Sequence, residues 1–207
     1  CPILEVGSKG DPIIKVLAKG ADVRFDIPAY RIYRNGEPAG EVTDIAEFWN
    51  NDLVYFLTGC SFGFEGALQN AGIPVHHIDN GTNCPMYISN IDCVESGPFR
   101  GKMVVSMRGI PGRLVSKAVM VTSRYPASHG APVYVGDPRG IGIAHFENPD
   151  FGGKPVTNPG DVPVFWACGV TTQKIARDAR LPLVIGHAPG HMFIADLLNE
   201  DLRADAV

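Results

Sequence analysis

Residues 162–196, VPVFWACGVTTQKIARDARLPLVIGHAPGHMFIAD, constrain the fold more than any other part of this chain. The first seven residues are an apolar run of β-formers that ends at Gly169, which predicts a strand. Thr171 and Thr172 stand where a helix needs a cap. Ile175, Ala176 and Ala179 then share a stripe opposite Lys174, Arg177 and Asp178, the pattern of a short amphipathic helix. Pro182 stops that helix, LPLVIG supplies a second apolar run, and Pro189-Gly190 turns the chain between His187 and His191. The order strand, helix, strand predicts an α/β fold in which Val162–Cys168 and Leu183–His187 are neighbouring strands. Ligands of open α/β sheets gather beyond carboxyl strand ends, so Cys168, His187 and His191 become candidates for one crevice. The alternative is plain packing: Cys168 as a small buried hydrophobe and the histidines as loop hydrogen-bonders.

The upstream chain supplies a second set of candidates. YRIYR followed by Asn35-Gly36 predicts a hairpin, and TDIAEFWNNDLVYFLTG predicts a helix from Thr43 or Asp44 to Gly59. CSFGFEGALQNAG then predicts a second helix capped by Ser61, with Glu65 in its first turns and Gly72 as its stop. Amides at that helix start, around Cys60 and Ser61, suit an anionic substrate. IPVHHID reads as a strand, and Asn83 follows in a turn where its amide can face a ligand. From Cys84 onward, PMYISNIDCV, GKMVVSMR, LVSKAVMVTSRYP and GAPVYVG read as β-β-α-β. This predicts an inserted, smaller α+β two-layer subdomain at 84–140 within a mixed-sheet α/β unit built from 1–83 and 141–207. A crevice between the two parts would gather Arg108, His129 and Asp137 toward Cys60 and the C-terminal histidines, with Arg108 as a carboxylate fork.

Several long strings carry a resemblance: TGCSFGFEGAL, GTNCPMY, VVSMRGIP, SRYPASHGAPVYVGDPRGIGI, VPVFWACGVTTQ and HAPGHMFIAD, in this order. The chain resembles the D-glutamate cyclase family, many of whose bacterial members are called hydro-lyases. The resemblance implies an α/β enzyme that removes water, with D-glutamate closing to 5-oxo-D-proline. It also implies a segment upstream of Cys1, where members of the family normally begin.

Composition excludes other classes. There are 18 basic and 22 acidic residues, a formal charge of −4, and no Lys/Arg cluster to follow a phosphate backbone, so nucleic acid is not an expected partner. Five cysteines without a CxxC pair argue against a disulfide scaffold or structural zinc and suit a reducing cytoplasm. No apolar run approaches the ~20 residues of a membrane helix. GDPRGIGI lacks the spacing of a dinucleotide fingerprint. No cofactor is expected; His187, His191 and Asp196 could offer donors to a divalent metal, which is not predicted because Pro-Gly interrupts the HxxxH pair, and a homo-oligomer is compatible with the sequence.

Closing glutamate to a lactam requires a neutral amine and a protonated leaving oxygen. On this reading His187 and His191 move protons, Cys60 and Cys168 are alternative nucleophiles ranked below direct attack, and Ser61, Glu65, Asn83, Arg108, His129 and Asp137 bind substrate. The competing class is a non-catalytic carboxylate-binding or regulatory module using the same crevice. The last residues, EDLRADAV, read as a polar tail that frays.

Overall fold

The computed structural model describes residues 1–204 and combines helices with three separate antiparallel sheets, an α/β fold. In chain order the elements are β1 (Ile3–Val6), β2 (Tyr30–Arg34), β3 (Glu37–Val42), β4 (Phe56–Thr58), α1 (Glu65–Asn70), α2 (His76–Asp79), β5 (Met86–Asp92), β6 (Lys102–Pro111), α3 (Val115–Ser123), β7 (Tyr134–Val135), β8 (Asp161–Ala167), α4 (Val170–Asp178) and β9 (Val184–His187). The sheets have the orders β1-β4, β3-β2-β9 and β5-β6-β8-β7.

The four-stranded sheet forms because the central parts of β6 and β8 are buried on both faces, mostly by apolar side chains. On one face Ile110, Val164 and Trp166 meet Phe64, Leu68 and Ala118; on the other Val105, Met107 and Phe165 meet Tyr87, Ile141 and Ile143. Trp166 is fully buried, and its Nε1 donates to Thr122 Oγ1 at 3.1 Å, so its large apolar area is buried without an orphaned donor.

Pairing overturns one expectation. β8 and β9 are not neighbours: β8 has β6 along one edge and β7 along the other, so no edge remains for β9. β9 instead pairs with β2, Tyr30 opposite His187, on the edge that β3 leaves open. The strands of residues 84–140 likewise take β8 from outside that range into their sheet. The Asn35-Gly36 hairpin is as expected, with φ of +50° and +87°, the left-handed pair that a two-residue turn requires.

Three local expectations fail for identifiable reasons. Residues 43–59 do not form a helix: one turn closes from Trp49 N to the Ile45 carbonyl. Asn50 Oδ1 then captures the Asp52 amide at 2.8 Å, an Asx competitor to helical bonding. IPVHHID is not a strand but contains α2, whose end is held by Asn80 Nδ2 donating to the His76 carbonyl at 2.7 Å. The polar tail is partly anchored, since Leu202 packs against the Phe64 cluster and Ala204 N donates to the Arg124 carbonyl; residues 205–207 lie outside the described residues.

The N-terminal part is organised by a buried carboxylate. Glu5, 8% exposed, accepts from the amides of Lys15, Val16 and Leu17 and from the Tyr55 hydroxyl at 2.7–3.1 Å. Burial alone would raise its pKa, but these four donors prevail and hold it below the ordinary carboxylate value. Its contribution is therefore present above the unfolded-state pKa and disappears as pH falls through the lower folded-state value. We expect Glu5→Gln to lower stability by about 2–3 kcal/mol at neutral pH, and to flatten the acid limb of a urea-denaturation series; an unchanged acid limb would refute the assignment.

Candidate functional site

The densest charged cluster of the interior lies on the Trp166 face of the four-stranded sheet. Ser106 and Arg108 are two residues apart on β6 and therefore share a face. They meet α1 and the short 3₁₀ turn Ser61–Phe64 that leads into it. The Arg108 side chain is 1% exposed and sits over Phe64 and Trp166, 5.2 and 5.4 Å from the ring centres. Its Nε and Nη2 donate to Glu65 Oε1 at 3.0 and 2.5 Å, Nη2 also donates to Ser61 Oγ at 3.0 Å, and Nη1 donates to Ser106 Oγ at 2.8 Å. Four of five guanidinium hydrogens are thereby used. His77 Nε2, on α2, completes the group 3.0 Å from Glu65 Oε1.

This geometry revises two roles. Arg108 lies inside β6 rather than at a strand end, and its fork is closed on Glu65, so it is not an open carboxylate clamp. Ser61 does not cap the helix; its hydroxyl serves Arg108, and Cys60 occupies the cap position without a side-chain cap bond. Burial pushes the Glu65 pKa up, but Arg108 and His77 prevail and keep it ionised. For Arg108, burial works against the charge, and Glu65 prevails and raises its pKa.

Three thiols border the cluster, and the Arg108 charge acts on each. Burial pushes Cys84 up to about 12 and Cys168 up to about 11, and raises Cys60 against the opposing Phe62 amide. They are protonated thiols at neutral pH, poor nucleophiles. Cys168 packs among Cys84, Met86 and Val104, with its Sγ 3.4 Å from Met86 Sδ, which is the packing role left open by the sequence.

A second loop closes on the helix start. Pro126–Ser128 approaches so tightly that a Cβ at Gly59 would lie 1.7 Å from the Ala127 carbonyl oxygen, and one at Gly63 would lie 2.5 Å from Ser128 Oγ. The glycines of TGCSFGF therefore serve close approach. Ser128 is fully buried, and its Oγ lacks a hydrogen-bond partner; neither ring nitrogen of His129 makes a hydrogen bond of good geometry, although the Gly59 backbone lies near enough to act on the ring. Such orphans cost about 1–3 kcal/mol each. Burial, with the Arg108 charge adding to it, pushes the His129 pKa down to about 4 against the opposing effect of the Gly59 backbone group beside the ring.

The remaining candidates lie apart from these contacts. His187 Nδ1 and His191 Nδ1 each lie 2.8 Å from a nearby carbonyl oxygen, of Ala188 and Pro189 respectively, and no described hydrogen bond or ion pair joins either residue to Arg108. Asp137 is exposed and binds Arg139 as the cap of a 3₁₀ turn. Asn83 is exposed with no described side-chain hydrogen bond, although its neighbour Cys84 is buried. Two surface depressions lie elsewhere, one beside His76 and Asp161 and one beside Glu37 and Arg177, and neither contains the Arg108 cluster. Among the described residues no three His, Cys, Asp or Glu side chains group so as to hold a metal ion.

Sequence reasoning missed His77, Ser106 and Ser128. For Ser106 a signal existed: a lone hydroxyl inside VVSMR, on the same strand face as Arg108. His77 was obscured by reading its segment as a strand.

Two measurements test this site. Arg108→Met leaves Glu65 buried without its main counter-charge, so stability should fall by about 3–5 kcal/mol, with much of it recovered in Arg108→Met/Glu65→Leu. Equal stability of wild type and single variant in urea would show the pair to be dispensable. His129 stays neutral in the fold while the unfolded chain binds a proton below about 6.5. Stability should therefore decline on acidification from about 6.5 to about 4 by on the order of 2 kcal/mol. His129→Asn should remove that decline; its persistence would place the titrating group elsewhere.

Comparison with known proteins agrees with the resemblance in the sequence. The family described as D-glutamate cyclase matches residues 54–196. A Bacillus velezensis protein named "Putative hydro-lyase" is 56% identical over 98% of this chain and 76% of its own length. One of Stutzerimonas stutzeri with the same name is 57% identical over 98% and 76%, and "Putative hydro-lyase YcsI" of Bacillus subtilis is 54% identical over 98% and 79%. With identity this high across nearly all of its length, and with the family's match spanning the Arg108 cluster and its closing loop, the chain belongs to the D-glutamate cyclase family and is a lyase.

Proposed function

We propose that this lyase removes water from a small amino dicarboxylic acid, with D-glutamate closing to 5-oxo-D-proline as the concrete reaction. The observation that carries this reading is the placing of unpaired polar groups, Ser128 Oγ and the His129 ring, beside a cation–carboxylate array buried against Trp166. Low-dielectric surroundings with fixed charges and free donors favour a reaction that creates and discharges an oxyanion. The family's own description and the printed names of the relatives support water removal; the choice of D-glutamate rests on the former alone.

In the reaction, the amine nitrogen bonds to the γ-carboxyl carbon and one carbon–oxygen bond breaks. The ammonium gives up two of its three protons, and the departing oxygen leaves with both as water, so no co-reactant is needed. Protonated thiols disfavour a thioester route, leaving direct attack by the amine. Five free cysteines fit a reducing compartment, and no helix among the described residues is long and apolar enough to cross a membrane.

Incubation with D-glutamate, L-glutamate and related amino and hydroxy acids, followed by proton NMR, should show loss of the free amine and appearance of the lactam for D-glutamate. Binding without conversion of any acid would favour a non-catalytic carboxylate-binding module. Cys84→Ala and Cys168→Ala should each keep kcat within about tenfold of wild type, since a true nucleophile costs far more when removed. A hydroxylamine-trappable thioester would reverse that assignment.

A further inference from the structure

The three buried side-chain polar atoms without a partner among the described residues belong to two adjacent residues, Ser128 and His129. Buried orphans are rare in folded proteins, and each calls for a ligand, water or strain to explain it. Their coincidence on one loop is joined by a second anomaly: His129 has φ of +75°, a left-handed conformation uncommon outside glycine. The surrounding bonds enforce it, since Ser128 N and Gly130 N both donate to the Tyr125 carbonyl, at 2.8 and 2.9 Å. Strain of this kind, held by neighbours, concentrates where a side chain is presented to a ligand. The loop is pressed against Gly59 and Gly63, within the electrostatic reach of Arg108.

We propose that Ser128 and His129 meet the reacting end of the substrate, His129 donating a ring N–H to the γ-carboxyl oxygen that gains charge and Ser128 passing protons from the amine to the departing oxygen. This deepens the water-removal reading above and rests on it. In the step, Ser128 Oγ accepts a proton from nitrogen and gives its own to the leaving oxygen, so the hydroxyl is regenerated. His129 keeps its proton throughout. A neutral imidazole has one donor and one acceptor nitrogen. With its pKa near 4 it is a weak base, unsuited to taking a proton from an ammonium, but it is a donor that carries no charge of its own into a site already facing Arg108. The HAPGH histidines are not needed for this step.

The test combines kinetics with a direct view of the ring. His129→Asn tolerates left-handed backbone, and Ser128→Ala removes only the hydroxyl; each should lower kcat about 10²–10³-fold with KM changed by only a few-fold, the pattern of donors that act on the transition state. His129→Gln, whose amide N–H reaches one methylene farther than that of Asn and can stand where the Nε2 hydrogen stands, should recover part of the loss. In wild type, the His129 ring resonances should titrate near pH 4 and shift on addition of 5-oxo-D-proline. Circular dichroism and melting establish that each variant is folded, and Ser128→Ala carries the kinetic test should the His129 variants fail to fold.

Folded variants with unchanged kcat would overturn the proposal. So would lost turnover in His187→Ala or His191→Ala together with full turnover in His129→Asn. If wild type converts no acid in the panel, the D-glutamate reading falls by itself. The pair is then judged on its resonances: a shift of the His129 ring with one of these acids upholds a ligand-facing role, and no shift with any removes it.

Discussion

A single buried guanidinium sets the terms for the rest of this structure. Arg108 cannot be taken from water without counter-charge, and the fold answers with Glu65 from α1, hydroxyls from Ser61 and Ser106, and the faces of Phe64 and Trp166. These partners come from three places in the chain, residues 61–65, β6 itself and β8. Satisfying one cation therefore fixes the register of β6, the position of the helix start at Cys60 and the packing of β8. His77 extends the same requirement to α2, because Glu65 Oε1 is shared. Replacing such an array by apolar residues is often neutral for stability, which makes its presence in an otherwise apolar interior easier to understand as electrostatic preparation of a site than as reinforcement.

The neighbouring loop supplies what the array lacks. Arg108 is almost fully used by its own partners, so it provides charge rather than free donors. Ser128 and His129 provide polar atoms that make no hydrogen bond of good geometry. Close approach of the two depends on Gly59 and Gly63, where any side chain would collide with the loop. The thiols nearby are held as neutral, polarizable walls.

Much of this was legible in the sequence where local physics decides. The Asn35-Gly36 hairpin, the strands around Met86 and Val105, the helix after Pro111-Gly112 and the helix of QKIARDAR all follow from turn residues and periodicity. The failures occur where a distant partner decides. Nothing local in IPVHHID states that His76 is 2.8 Å from Asp161 or that His77 reaches Glu65. Edge availability is equally non-local: β8 and β9 read as a natural pair until β7 is seen to occupy the edge that β9 would need. Of the site, Cys60, Ser61, Glu65, Arg108 and His129 were identifiable as residues but not in their roles. A hydroxyl or guanidinium has the same letter whether it faces a ligand or a counter-ion.

The pairing of β2 with β9 has a consequence for how the chain reaches this state. Tyr30 and His187 are separated by most of the sequence, yet they sit opposite each other in one ladder. Closing so large a loop carries an entropy cost that local hairpins do not, and long-range antiparallel pairing is slow for the same reason. During synthesis the β2–β3 hairpin emerges well before β9 and must keep the edge that includes Ile32 unpaired while all the intervening chain is made. Until then that edge is open to wrong partners, so the arrival of β9 closes an interval of exposure that the hairpin cannot close by itself.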